Sequence, residues 1–281
     1  MNSMILSQIL IIEKDGLVAF DIFFIILFAL AISSFLNVLI YRLPLNISLI
    51  NPKRSRCTSC EEVIPWYHNI PILSYLLLRG KCSNCKSSIS LQYPIIEILS
   101  TCITFILFQQ LGLSYEFYFI TLIVYILIVL SYIDIRYKAV PTILLIVLTS
   151  ITILYLFLFK KENISIFFMF AGAIVIIELF VTYYIQNIKS KITQNDLLKE
   201  QKAIGEGDIP IIALLGGLLG LKFGIVAIFL SAILAIIPSV LNIVLKKETE
   251  TPFIPFLSLG FIITYTNENN IQKILEGLNI L

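Results

Sequence analysis

Charge is scarce in this chain. Asp, Glu, Lys and Arg make up 14% of its 281 residues while 58% are hydrophobic, a balance that excludes an ordinary soluble domain and points to a polytopic membrane protein. The net charge of +2 is too small to argue for a nucleic-acid partner, so the basic residues read as topology signals rather than as a binding patch. Histidine is reduced to His68, beside Trp66, Tyr67 and Asn69; it reads as a surface or satisfied core residue, not as the centre of histidine-based catalysis. A glycine-rich nucleotide loop of the Rossmann type is missing. So is the internal duplication that an inverted-repeat transporter would carry.

Long apolar runs are abundant. Windows long enough to cross about 30 Å of hydrocarbon, roughly 20 residues each, fall at Leu17–Tyr41, Tyr93–Leu111, Tyr115–Ile133, Pro141–Phe159, Ser165–Ile185, Ile209–Leu221, Gly224–Leu245 and Phe253–Thr266. The first run is longer than a signal-peptide core and has no small-residue cleavage site after it, so it is expected to remain as a helix. The expectation is an all-α polytopic membrane protein of about eight transmembrane helices. It divides into a first helix at 1–41, a cytoplasmic zinc-ribbon-like loop at 42–92 and a transmembrane core at 93–281. Of the 20 Lys and Arg residues, most follow spans one, three, five and seven, among them Arg42, Lys53, Lys202, Lys246 and Lys247. Only Lys14, Lys160, Lys161, Lys222 and Lys273 fall on the other side. The asymmetry puts the termini outside and the loops 42–92, 134–140 and 186–208 in the cytoplasm.

Cysteine is rare too, but four of the five stand in two knuckles, Cys57-Thr58-Ser59-Cys60 and Cys82-Ser83-Asn84-Cys85. Paired Cys-x-x-Cys spacing suits a tetrahedral structural zinc site, each knuckle presenting two sulfurs. The alternatives are disulfides or idle thiols, and a reducing cytoplasmic loop disfavours disulfides. Nearby Lys53, Arg54, Arg56, Lys81 and Lys86 would offset thiolate charge. Cys102, inside the second window, reads as a small packing residue.

Two acids stand at the mouths of apolar runs. Asp134 ends one in Ser131-Tyr132-Ile133-Asp134-Ile135-Arg136, and Asp208 begins another after Gly205-Glu206-Gly207. On one face of the membrane they can approach, share a proton and activate a water. Each also has an ordinary reading, Asp208 as a helix N-cap ahead of Pro210 and Asp134 as an interfacial charge. The glycines at 205 and 207 favour the chemical reading, because bare backbone on both sides of Glu206 can pass close to an extended substrate. Glu97 and Glu178 lie inside spans, where an acid is costly. Glu97 stands near the cytoplasmic end and could reach the interface, and Glu178 is deeper, where a hydrogen bond to a neighbouring helix would explain it as well as a functional role.

Read together, these motifs resemble the type IV prepilin peptidases, membrane aspartic proteases with a Gly-x-Gly-Asp motif. The likeness runs through Ser34-Phe35-Leu36-Asn37-Val38-Leu39-Ile40-Tyr41-Arg42-Leu43-Pro44, the cysteine loop from Arg54, and Trp66-Tyr67-His68-Asn69-Ile70-Pro71. It continues through Leu78-Arg79-Gly80-Lys81-Cys82 and Gln92-Tyr93-Pro94-Ile95-Ile96-Glu97. The resemblance implies that Asp134 and Asp208 form a catalytic pair that cuts the leader from prepilin or pseudopilin precursors after a glycine, on the cytoplasmic side of the inner membrane. It implies a second activity, N-methylation of the new terminus from S-adenosylmethionine, and a structural Zn2+ on Cys57, Cys60, Cys82 and Cys85. The chain departs from the family pattern at Pro210, where Lys is usual, at Thr142 and His68, where acids are usual, and at Ile254, where Gly is usual. These changes bear on substrate fit and methylation. Rival classes are a proton-relaying transporter and a non-enzymatic scaffold whose zinc ribbon binds a partner.

Overall fold

The computed structural model describes residues 2–51, 54–194, 196–199, 205–245 and 251–277. Lys53, Lys202, Lys246 and Lys247, which entered the topology argument, lie outside them. Regular structure among the described residues is helical, apart from isolated antiparallel bridges between Arg56 and Val63 and between Lys81 and Ser88. Among the described residues six helical runs are long and apolar enough to cross a membrane: Phe20–Arg42, Gln92–Leu111, Tyr115–Tyr137, Thr142–Phe159, Lys161–Thr193 and Asp208–Asn242, with Ile254–Thr266 a shorter apolar one. The protein is an all-α polytopic membrane protein. Its chain divides into two compact units, Met1–Thr121 and Leu122–Leu281.

In the first unit, α1 (Asn2–Arg42) packs on α3 (Gln92–Leu111). Ala29, Ser33, Leu36 and Ile40 are buried on α1, and Ile96, Ser100, Ile103 and Leu107 on α3. Both sets follow the alternating four- and three-residue steps of one helical face, and small residues in both stripes let the backbones approach. Asn37 Nδ2 donates to the Tyr93 carbonyl at 3.2 Å. Between them lie the cysteine loop, a 3-10 turn at Trp66–His68 and the short α2 (Leu73–Leu77). Arg42, nearly buried, donates to the carbonyls of Ser48 and Leu49 and so folds the start of this loop against the end of α1. Cys102 is exposed on α3 rather than packed: it falls between the buried positions of that helix, where a thiol meets the apolar surroundings of a span at no polar cost.

The second unit is built around α8 (Asp208–Val244), against which α5 (Thr142–Phe159), α6 (Ile164–Tyr183) and α9 (Ile254–Thr266) pack. The helix α4 (Tyr115–Tyr137) leads into this unit, and Ile211, Ala213, Leu214, Leu215 and Leu218 form the buried start of α8. At 37 residues a straight α8 would run about 55 Å, far more than a bilayer needs. It breaks at Gly220, whose φ of 77° and ψ of 177° only glycine adopts without strain. The run Asp208–Val244 is therefore two helices meeting at Gly220, which correspond to the sixth and seventh windows. Carbonyls freed near the break are capped by Asn163 Nδ2 on Gly217 (2.9 Å) and Lys160 Nζ on Leu218 (3.2 Å), as buried helix ends require. A π-helical turn at Tyr184–Lys189 and a short α7 (Ser190–Thr193) follow α6, and α10 (Glu268–Gly277) follows α9. Glu178 is partly exposed on α6, and the expected hydrogen bond to a neighbouring helix is not found among the described residues.

Candidate active site

Asp134 lies in the last turn of α4 and Asp208 is the first residue of α8. Both are buried, at 8% and 9% exposure, and their carboxylates lie within each other's electrostatic reach. The second unit thus brings together two acids that the sequence keeps far apart. Asp134 Oδ2 accepts the Ile254 backbone N–H at 3.3 Å. Ile254 is the first residue of α9, with Pro255 next, so its N–H is one of the donors a helix N-terminus leaves without a partner. The positive end of the α9 dipole faces the carboxylate there. One turn back on α4, Ser131 Oγ meets Ser258 Oγ at 2.8 Å, a second tie between the two helices.

Asp208 is placed by the glycine loop. Its N–H donates to the Gly205 carbonyl at 3.0 Å, and its carboxylate folds back on the Gly205 amide. A Cβ at position 205 would stand 3.3 Å from Asp208 Oδ2. At Gly207 a Cβ would lie 3.1 Å from Val140 Cγ2 and 3.4 Å from Ile254 Cδ1. The loop therefore fits between Val140, ahead of α5, and the same Ile254 whose amide holds Asp134. Sequence reading missed the Ile254 amide and the Ser131–Ser258 pair. Pro255 was the available signal, since Pro in a first helical turn marks free N–H groups just before it.

In the first unit, the sulfurs of Cys57, Cys60, Cys82 and Cys85 all lie within 4.8 Å of one another. Cys57 and Cys85 sulfurs are 3.8 Å apart, which matches the separation of about 3.8 Å for ligands about 2.3 Å from a tetrahedral centre. The four cysteines form a cluster able to hold a metal ion. Backbone amides of Cys60 and Ser59 draw the Cys57 thiol down to about 6, and the Ser87 hydroxyl and amide lower that of Cys85. Cys60 is opposite: although the Glu62 amide favours its thiolate, desolvation and the three neighbouring sulfurs push it up to about 11. Crowding four sulfurs splits them in this way, some thiols drawn down and one pushed up, until a cation neutralises them. Glu97, buried on α3, accepts the Ile72 N–H at 2.7 Å. His68 is partly exposed, with its ring against Tyr67 and Nδ1 without a partner.

Comparison with known proteins identifies the family of the chain. A profile described as the Type IV leader peptidase family matches residues 121–240, and one described as the Bacterial Peptidase A24 N-terminal domain matches residues 27–111. The prepilin leader peptidase/N-methyltransferase of Vibrio cholerae is 34% identical over 225 residues, 76% of this chain and 85% of the relative. The chain belongs to the type IV leader peptidase family. The protein of the same name from Neisseria gonorrhoeae is 30% identical over 274 residues, 87% of this chain and 90% of the relative. That of Myxococcus xanthus is 40% identical over 118 residues, 42% of this chain and 35% of the relative. No solved structure matches the chain. As a family member with several apolar spanning helices, the protein is a multi-pass bacterial membrane peptidase.

Proposed function

We propose that this protein is an aspartic endopeptidase that removes the leader from type IV prepilin or pseudopilin precursors, cutting after a glycine at the cytoplasmic face of the inner membrane. The observation that carries this reading is the meeting of Asp134 and Asp208, both buried, at two helix ends of one compact unit. Two carboxylates at one site divide the proton transfers of peptide hydrolysis. One, ionised, takes a proton from the attacking water; the other, protonated, gives a proton to the leaving nitrogen as the C–N bond breaks. Gly205 and Gly207 keep the loop before Asp208 thin enough to run beside an extended leader. A pilin-type precursor brings a basic leader in water and an apolar helix in lipid, so its scissile bond falls at the interface where such helix mouths lie.

The surplus of Lys and Arg beside spans one, three, five and seven supports a cytoplasmic position for the cysteine loop and both aspartates. In that reducing setting the cluster takes one zinc ion on Cys57, Cys60, Cys82 and Cys85, which supplies a structural crosslink with no open coordination position. Methylation of the new N-terminus from S-adenosylmethionine is the second activity, supported by the names of the relatives. Cleavage without methylation is the competing reading, favoured by His68 where the family usually has an acid. Purified protein incubated in detergent with a pilin-like precursor and S-adenosylmethionine, followed by mass, separates these. Leader loss with a methylated product is expected. Leader loss alone leaves the peptidase reading, and an intact precursor overturns both.

A further inference from the structure

Between the two cysteine knuckles the chain makes an excursion, residues 61–81, whose tip is apolar and uncovered. Trp66 is 76% exposed, Leu76 65% and Leu77 73%, and Tyr67, Ile70 and Leu73 are also exposed. So many large apolar side chains together mark a surface that meets something other than water. The tip is well knit. Buried Ser74 accepts the Ile70 N–H at 2.9 Å and donates to the Tyr67 carbonyl at 3.0 Å, closing the 3-10 turn onto α2.

The excursion is also fastened to a membrane span. Ile72 donates its N–H to Glu97 Oε2 at 2.7 Å, and Glu97 lies five residues into α3, about 7.5 Å of rise from Gln92. Ile72 holds φ 61° and ψ −52°, a conformation a β-branched residue takes only when its surroundings impose it. Here it is the centre of a γ-turn, closed by the Leu73 N–H on the Pro71 carbonyl at 2.6 Å, and the buried Glu97 carboxylate takes the N–H of Ile72 itself. The start of α2 is thereby held level with the first turns of the span. On that end of α3, Leu91, Ile95, Ile98 and Leu99 are exposed as well, so apolar surface continues from the span onto the excursion. Trp66 and Tyr67, with rings 5.8 Å apart, are the residue types enriched at the water–hydrocarbon boundary. Exposed Arg79 and Lys81 follow α2, where anionic headgroups attract cations.

We propose that residues 66–77 are a membrane-interface anchor, with Trp66, Leu73, Leu76 and Leu77 dipped into the boundary between headgroups and acyl chains. The occupant of this apolar face is the lipid bilayer, and the four-cysteine cluster closes the base of the anchor. Asp134 and Asp208 take no part in it, so the outcome leaves their roles untouched.

Trp66 is the one tryptophan of the chain, and its fluorescence therefore reports this site without any substitution. The full-length protein would be reconstituted in phosphatidylethanolamine and phosphatidylglycerol vesicles, with and without lipids brominated high on the acyl chain. Loss of most of the emission to brominated lipid, with little loss to iodide in the buffer, is expected. Quenching by iodide and not by lipid puts Trp66 in water and overturns the anchor; protection from both puts it under protein and overturns it equally. In the Leu76→Lys/Leu77→Lys variant, checked for retained metal and helix content, quenching should move from lipid to iodide. An unchanged pattern in that variant would mean that the leucines do not hold the segment in lipid.

Discussion

The backbone N–H of Ile254 reaches Asp134 Oδ2 at 3.3 Å, tying the N-terminus of α9 to the last turn of α4. The same residue's side chain bounds the space beside Gly207, one residue before Asp208. A single position thus touches the settings of both carboxylates. Replacing a carboxylate by its amide tests the chemistry with little change of shape: Asp134→Asn keeps an oxygen to accept the Ile254 amide. Asp134→Asn and Asp208→Asn should each insert and fold while losing at least about 100-fold in cleavage, the scale of a general acid or base. Precursor cleavage followed by mass gives the answer, and substantial turnover by either variant would remove the two-carboxylate mechanism.

Close packing at Gly207 gives a second test. A methyl there would lie 3.1 Å from Val140 Cγ2, which must give by a few tenths of an ångström, and in ordinary contact at 3.4 Å with Ile254 Cδ1. Gly207→Ala should cost about 1–3 kcal/mol of stability, as overpacking does, and should slow cleavage by pushing the loop before Asp208 away from Val140. Adding Val140→Ala opens the crowded side. The double variant should recover much of both losses, a coupling of about 0.5–3 kcal/mol for residues in contact. Thermal unfolding in detergent, paired with the cleavage assay, reads it; strictly additive losses would mean that Val140 does not bound the glycine.

The spans, the cysteine cluster and the pair of acids were legible because each leaves a local mark in the chain: length of apolar run, Cys-x-x-Cys spacing, an acid at a run's mouth. The sixth and seventh windows were legible too, as two helices that meet at Gly220, but how closely they follow one another was not, since Gly220 carries no apolar mark of its own. Backbone donors are invisible as well. Nothing in the identity of Ile254 says that its N–H is used, and Ile72 at positive φ contradicts local propensity because it sits at the centre of a γ-turn, with its N–H taken by Glu97. Glu178 illustrates the converse: its depth suggested a partner, and the described residues supply none.

Topology has its own measurement. The charge asymmetry places the cysteine loop on the inside, so a membrane-impermeant thiol reagent added to intact cells should leave Cys57 and Cys82 unlabelled, and the same reagent should label metal-free protein after lysis. Labelling from outside would reverse the orientation and make disulfides the better account of the four thiols.

Metal removal separates the loop from the chemistry. With all four positions around a tetrahedral ion filled by Cys57, Cys60, Cys82 and Cys85, none is left for a water, so the ion can crosslink but not hydrolyse. Purified protein should carry about one zinc per chain on that stoichiometry, and Cys57→Ser or Cys82→Ser should lose it. Both bridges of the loop stand beside a knuckle, Arg56 with Val63 and Lys81 with Ser88, so loss of the metal should loosen residues 54–90, as expected where binding and folding are coupled. Hydrogen exchange of that segment should rise while α8 and α9 stay protected. Cleavage should fall only as far as the loop seats the leader, and methylation further. If a zinc-free variant bound precursor normally yet lost hydrolysis altogether, with α8 and α9 still protected, the catalytic centre would have to be assigned to the metal and not to Asp134 and Asp208.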